Sequence, residues 1–156
     1  AKRPMNTRIA DLRFADDAAE ALATRCRAFP VLRDVRHPLL DAVLDPSGDI
    51  VSYLERLLSV ACREMRLPFN VVRTTSLQIP TAFQGQERVL EVCRKFGADR
   101  YINLAGGRRL YDAMSFQRQG IELKLFEPWT GPNWSILYRL LTEPTANVAA
   151  QVNAQI

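Results

Sequence analysis

Two short apolar segments flanking one amphipathic segment restrict this chain to the α/β class. Residues 69–75 and 99–104 are short and rich in β-branched or aromatic side chains, as strands are. Between them, residues 86–96 carry apolar side chains at helical spacing, and Gly97 supplies the left-handed position that ends a helix. Strand, helix and strand within about 35 residues predict two parallel, neighbouring strands.

A third apolar segment and the N-terminal part complete the predicted architecture. Residues 121–126 alternate well enough to form a strand, and the apolar stripe that follows Asp49 predicts the longest helix. We therefore expect an α/β fold with a helical N-terminal part and a small, mostly parallel sheet flanked by helices, its strands near 69–75, 99–104 and 121–126. The length of 156 residues suits a single α/β domain over 1–156.

Composition excludes several classes of function. The chain has no run of about 20 apolar residues, which a membrane-spanning helix needs, and no signal-peptide pattern, so we expect a cytoplasmic protein. The formal net charge is +4, and the many arginines are scattered along the chain instead of forming a basic stripe. Nucleic acid is therefore not the expected partner. A homo-oligomer or a partner chain stays open.

Cysteine and histidine usage argues against a metal or cofactor. Cys26, Cys62 and Cys93 have no metal-ligand spacing and fall on the apolar faces of predicted helices, as core residues in a reducing compartment do. His37 is the single histidine, so a zinc site is not expected. We expect His37 to be an N-terminal helix residue and not a catalytic one, although its ordinary pKa suits catalysis.

Polar residues follow the predicted strands, where ligands bind in open α/β sheets. Thr75 and Ser76 follow the first strand, and Asn103 follows the second. Parallel strands bring these ends to one edge. Ser76 could be a nucleophile or a hydroxyl donor, but no histidine is near it in sequence, which favours a cap at the end of a strand.

A glycine pair follows the second strand. Gly106 and Gly107 precede a short helix predicted over 108–115, whose positive end and N–H groups could hold a phosphate or carboxylate together with Arg108. The GxGxxG and GxxxxGK[ST] fingerprints are absent, and a glycine pair alone more often marks a tight turn. Asp112 could supply a carboxylate beside this turn or be a surface residue of the helix.

An ordered series of small motifs resembles the WbqC-like family and covers residues 16–143. The series runs, in order, Arg73-Thr74-Thr75-Ser76-Leu77, residues 87–93, Gly97-Ala98, Tyr101-Ile102-Asn103, Gly106-Gly107, Tyr111, Phe116, Gly120-Ile121 and Trp134-Ser135-Ile136-Leu137. Members look like bacterial proteins encoded among genes for O-antigen, lipopolysaccharide and other surface polysaccharides. The resemblance implies an acyl or aminoacyl transferase, of glycyl type, that acts on an amino sugar or nucleotide sugar. The alternative is a non-catalytic binding or assembly module of a biosynthetic complex.

The resemblance also implies roles for individual residues. Ser76 would position the substrate, and Asp112 would orient a nucleophilic amine. The substrate-binding residues would be Thr75, Asn103, Gly106, Gly107, Arg108, Tyr111 and Ser135.

Three features depart from the family pattern. An N-terminal block with a His-Gln-Pro-like motif is expected there, so this chain would be the C-terminal part of a longer one. Asn103 stands where a serine-glycine pair is common, and Tyr138 stands where aspartate is frequent. The second departure puts any acid or base role at that position in doubt.

Overall fold

The computed structural model of the protein describes residues 9–155 and confirms an α/β fold. In that part of the chain there are seven α-helices and two strands. They are α1 (Ala18–Arg27), α2 (Pro38–Leu44), α3 (Ile50–Glu64), α4 (Gly85–Phe96), β1 (Arg100–Asn103), α5 (Ala113–Gln117), β2 (Glu122–Leu125), α6 (Ile136–Thr142) and α7 (Thr145–Asn153). Short 3-10 turns lie at Ile9–Asp11, Pro30–Leu32, Thr74–Leu77 and Ala105–Arg109.

The chain divides into two compact units. The first, which we call the helical unit, comprises the residues up to Phe69 together with Pro132–Val152. The second, the sheet unit, comprises Asn70–Gly131 and the residues from Asn153 onward. A single domain over the whole chain stays a prediction.

The helical unit is built on the predicted stripe of α3. The Asp49 carboxylate accepts a hydrogen bond from the Ser52 N–H at 3.0 Å and so begins this helix, as expected. The core of the unit combines α2, α3, α6 and α7 through a set of buried side chains: Leu39, Ala61, Met65, Leu140 and Val148. The buried Arg139 guanidinium donates to Glu143 and Gln151, each at 2.8 Å, and thereby joins α6 to α7.

The sheet unit holds two parallel strands, in which Arg100 lies opposite Glu122 and Asn103 opposite Leu125. The connection between them runs through α5. One face of the sheet contributes Tyr101 and Leu123 to a core with residues of α4 and α5 and the residue before β2: Leu90, Cys93, Phe116 and Ile121. The predicted strands near 99–104 and 121–126 are confirmed, and they pair in parallel. The predicted pairing of the strand 99–104 with 69–75 is wrong, because residues 69–75 form no strand.

The prediction of a strand over 69–75 is wrong. Residues 69–73 have no regular secondary structure, and Thr74–Leu77 is a 3-10 turn. Val71 and Val72 are 51% and 53% exposed, whereas a buried strand would cover them. β-Branched composition favours a strand only where a neighbouring strand offers hydrogen-bond partners. The sheet of the described chain has two strands and does not extend to this segment.

Candidate functional site

The carboxyl ends of β1 and β2 lie at one edge of the sheet, as their parallel pairing requires. Asn103 is the last residue of β1, and its carbonyl accepts a hydrogen bond from the Phe126 N–H at 2.8 Å. The chain then leaves β1 through the 3-10 turn Ala105–Arg109. Two of the three strand ends expected to converge therefore do so.

A compact group of residues lies at and next to the carboxyl end of β1. We call it the tyrosine cluster; it comprises Tyr101, Asn103, Gly107, Tyr111 and Phe116. The Asn103 amide donates to the Tyr101 hydroxyl at 3.3 Å, and that hydroxyl donates to Tyr111 Oη at 3.4 Å. Phe116 is fully buried, stacks on Tyr101 at 5.5 Å between ring centroids and meets Tyr111 edge-on at 5.8 Å. The Asn103 amide and the two tyrosine hydroxyls are therefore held in place by closely packed aromatic rings.

Gly107 belongs to this cluster because its neighbours leave no room for a side chain. A Cβ atom there would lie 2.8 Å from Asn103 Nδ2 and 3.2 Å from Tyr111 Cε2. Its φ is not positive, so the close approach of side chains, and not turn geometry, requires glycine here. Gly106, by contrast, faces open space.

The Tyr101 hydroxyl is held in its neutral form. Burial raises the pKa of Tyr101 to about 12, and the hydrogen bond to Tyr111 contributes in the same direction. The phenol is therefore a hydrogen-bonding group at neutral pH and does not act as a base.

Asp112 forms the N-cap of α5. Its carboxylate accepts hydrogen bonds from the N–H groups of Met114 and Ser115, each at 3.2 Å, and from the Ser115 hydroxyl at 2.6 Å. The Ser115 hydroxyl is the main cause that lowers the pKa of the Asp112 carboxyl below its usual range. The Asp112 N–H donates to Gln86 Oε1 at 2.5 Å and so ties this cap to α4. The site thus contains an exposed, ionised carboxylate.

The prediction of a short helix over 108–115 is wrong. Gly106 and Gly107 lie inside the 3-10 turn, and α5 begins at Ala113. Because the Asp112 carboxylate occupies the first N–H groups of α5, the positive end of that helix is not available to the glycine pair. Arg108 is exposed and makes no hydrogen bond or ion pair with another described residue, so its guanidinium can bind an anion.

The remaining predicted site residues lie outside the cluster. Thr75 and Ser76 are exposed in the turn Thr74–Leu77 of the same unit. The Ser76 hydroxyl donates to the Arg73 carbonyl at 2.8 Å, a local hydrogen bond of this turn. No strand ends here, so the interpretation of Ser76 as a cap at the end of a strand is wrong. Ser135 precedes α6 in the helical unit and makes no capping hydrogen bond. The structure therefore brings together Asn103, Gly107 and Tyr111, with Asp112 next in the chain.

The sequence of this chain matches the model of a known protein family. The model of the WbqC-like protein family matches residues 2–139, which is most of the chain. The chain belongs to the WbqC-like protein family. Membership is consistent with a role associated with polysaccharides. No curated protein and no solved structure gives a significant match.

This WbqC-like chain has two site residues that the sequence did not single out as binding residues. Tyr101 connects Asn103 to Tyr111, and Gln86 holds the Asp112 backbone. A signal existed for Tyr101, because it precedes Asn103 by two positions in a strand and so shares its face. No comparable signal existed for Gln86, which lies 26 residues from Asp112.

Two further observations concern the described part of the WbqC-like chain. Among residues 9–155, no group of three or more His, Cys, Asp or Glu side chains is placed to hold a metal ion. Within the same residues, no helix is both long and apolar enough to cross a bilayer.

Proposed function

We propose that this protein is an acyl or aminoacyl transferase, of glycyl type, that acts on an amino sugar or nucleotide sugar in the biosynthesis of O-antigen or another surface polysaccharide. The observation that carries the proposal is the hydrogen-bonded tyrosine cluster at the carboxyl edge of the sheet. Ligands of α/β proteins bind at such edges. Family membership supports the substrate class, and we place the reaction in the cytoplasm.

The proposal gives each group a task. The acceptor amine would donate a hydrogen bond to the ionised Asp112 carboxylate, which leaves its nitrogen lone pair directed at the acyl carbon. A C–N bond then forms while the bond from the acyl carbon to the donor's leaving group breaks. The leaving group departs with the electron pair of that bond, and it takes up the proton that the amine nitrogen loses. Arg108 would bind a phosphate or carboxylate of the substrate, because its guanidinium has no other partner among the described residues.

Neutral hydrogen-bonding groups would recognise the sugar itself. The Asn103 amide and the Tyr111 hydroxyl both donate and accept hydrogen bonds, as sugar hydroxyls require. Gly106 and Gly107 would let the ligand approach the backbone of the turn. The exposed Thr75, Ser76 and Ser135 are further substrate contacts in this proposal.

A binding or assembly module is the second candidate function, and a specific observation favours it. The Ser76 hydroxyl makes a local hydrogen bond to the Arg73 carbonyl, and the Asp112 carboxylate caps α5. Such bonds are sufficient to explain both residues without catalysis.

A thermal-shift screen of the full-length gene product separates the two candidates. Stabilisation by a nucleotide sugar, an amino acid or an acyl carrier alone supports the transferase, whereas stabilisation only by a partner protein supports the module. Arg108→Ala should abolish the shift that an anionic ligand causes and leave the melting temperature of the free protein unchanged. Lys95→Ala, which removes an exposed cation on α4, is the matched control and should keep the full shift.

A further inference from the structure

A cleft of about 500 Å³ opens in the helical unit. It lies between α1, the turn Pro30–Leu32 with the residues that follow it, and α2. Its volume falls within the roughly 300–1,000 Å³ of small-molecule sites. Apolar side chains form part of its wall, among them Ala23, Leu32 and Leu40. The cleft can therefore cover the apolar part of a ligand.

Charged side chains also line this cleft, and they are not paired with one another. They are Arg27, Arg33, Asp34, Arg36 and Asp41. The guanidinium groups of Arg33 and Arg36 make no ion pair or hydrogen bond with any residue that the structure describes. Their guanidinium groups are exposed beside the apolar wall and keep all their donors for a ligand.

We propose that the cleft binds a small monoanion with a hydrocarbon body, of which a medium-chain carboxylate is the simplest example. The carboxylate accepts hydrogen bonds from Arg33 and Arg36, since the planar guanidinium matches its two oxygens. The hydrocarbon body contacts Leu32 and Leu40, and the removal of its apolar surface from water favours binding.

The charges of the cleft select a single negative charge. Its three arginines exceed its two aspartates by one. A monocarboxylate is therefore balanced, whereas a diphosphate would meet the Asp34 and Asp41 carboxylates and be repelled. The cleft differs from Arg108 in that apolar side chains line it beside the arginines, and its proposed ligand does not depend on the transferase proposal.

Cys26 gives a direct test, because this free, half-buried thiol lines the cleft. Octanoate should slow the alkylation of Cys26 by iodoacetamide in the full chain, followed by peptide mass spectrometry. Cys62 is also free and half-buried but does not line the cleft, so its alkylation rate should not change. Acetate lacks the hydrocarbon body and octanol lacks the charge, and both should protect Cys26 less than octanoate does. An unchanged Cys26 rate with octanoate, or equal protection by acetate or octanol, would overturn the proposal.

Two variants test the arginines. The double variant Arg33→Gln, Arg36→Gln should raise the octanoate concentration for half-protection by about tenfold, because charged hydrogen bonds are lost. Arg25→Gln removes an exposed arginine of α1 that does not line the cleft, and it should leave that concentration unchanged. An unchanged circular dichroism spectrum and an unchanged alkylation rate of Cys62, in the same unit as the arginines, verify folding in each variant. Equal shifts in both variants would contradict specific binding by the two arginines.

Discussion

Gly107 is the position at which a single added methyl group should change the site most. Gly107→Ala places a Cβ 2.8 Å from Asn103 Nδ2, so the Asn103 amide must move and its hydrogen bond to Tyr101 is lost. We expect a loss of about 1–3 kcal/mol in the free energy of unfolding, measured with urea.

The adjacent glycine is the control. Gly106→Ala meets no atom within 4 Å and should leave stability unchanged or raise it by less than about 1 kcal/mol. Equal destabilisation by both substitutions would mean that the turn backbone, and not the contact with Asn103, requires glycine.

Tyr101 should make stability depend on pH in the alkaline range. Its pKa in the folded protein is about 12, above the value of about 10 for an unfolded tyrosine. The folded state thus favours the protonated phenol, and the stability gained is complete below pH about 10 and is lost as the pH rises towards about 12. Tyrosinate absorbance should show a late step whose amplitude falls by one tyrosine in Tyr101→Phe. Burial also raises the pKa of Tyr53, so part of the late absorbance change remains in that variant. An amplitude that is unchanged in Tyr101→Phe contradicts the assignment.

At the scale of single residues, the polar side chains of the site could be predicted from the sequence, but the atoms that contact them could not. Asn103, Tyr111 and Asp112 follow a predicted strand and glycine pair, and this local order is readable in the sequence. That Asn103 packs on Gly107, and that the Gln86 side chain holds Asp112, depends on contacts made only when the chain folds. Local order therefore identified candidate residues and left their geometry undetermined.

At the scale of elements, helices were more predictable than strands. The α3 stripe and its Asp49 cap, and the end of α4 at Gly97, all follow from local sequence. The prediction of a strand over 69–75 was wrong because a strand requires a partner strand, and a β-branched composition alone does not supply one. The predictions of β1 and β2 were confirmed because these two strands pair with each other.

His37 is expected to stabilise the start of α2. Its Nδ1 accepts a hydrogen bond from the Leu39 N–H at 3.1 Å, which confirms its position at a helix N-terminus. His37→Ala should lower the free energy of unfolding by about 1 kcal/mol because this cap is lost. His37→Asn keeps a capping acceptor and should recover most of that loss in thermal or urea unfolding. If both variants lose the same stability, the pair of His37 Nε2 with Glu64 at 3.7 Å matters more than the cap.

At the scale of the whole molecule, the two units have separate buried cores. The core of the helical unit includes Leu39 of α2 and Leu140 of α6, segments that precede and follow the sheet unit in the chain. Phe116 belongs to the core of the sheet unit. Because the helical unit is assembled from segments that lie on both sides of the sheet unit in the sequence, we expect the single predicted domain to unfold cooperatively.

Two core truncations test this cooperativity by calorimetry. Leu39 and Phe116 are both fully buried, and replacing either by alanine should cost about 2–5 kcal/mol. Both variants should lower the temperature of one common transition. Two transitions, each shifted by only one variant, would instead establish two independently unfolding domains.

The proposed transferase is tested most directly by the mass of an acceptor. A UDP-activated amino sugar incubated with the full-length gene product and a glycyl thioester should gain the mass of one glycyl group. Asp112→Asn keeps one acceptor oxygen for the α5 cap but loses the second oxygen and the charge that faces Arg118, so it should lower the melting temperature slightly and the rate by about a hundredfold. An acceptor that binds but gains no mass, or an Asp112→Asn variant as active as the parent, would contradict the proposed chemistry.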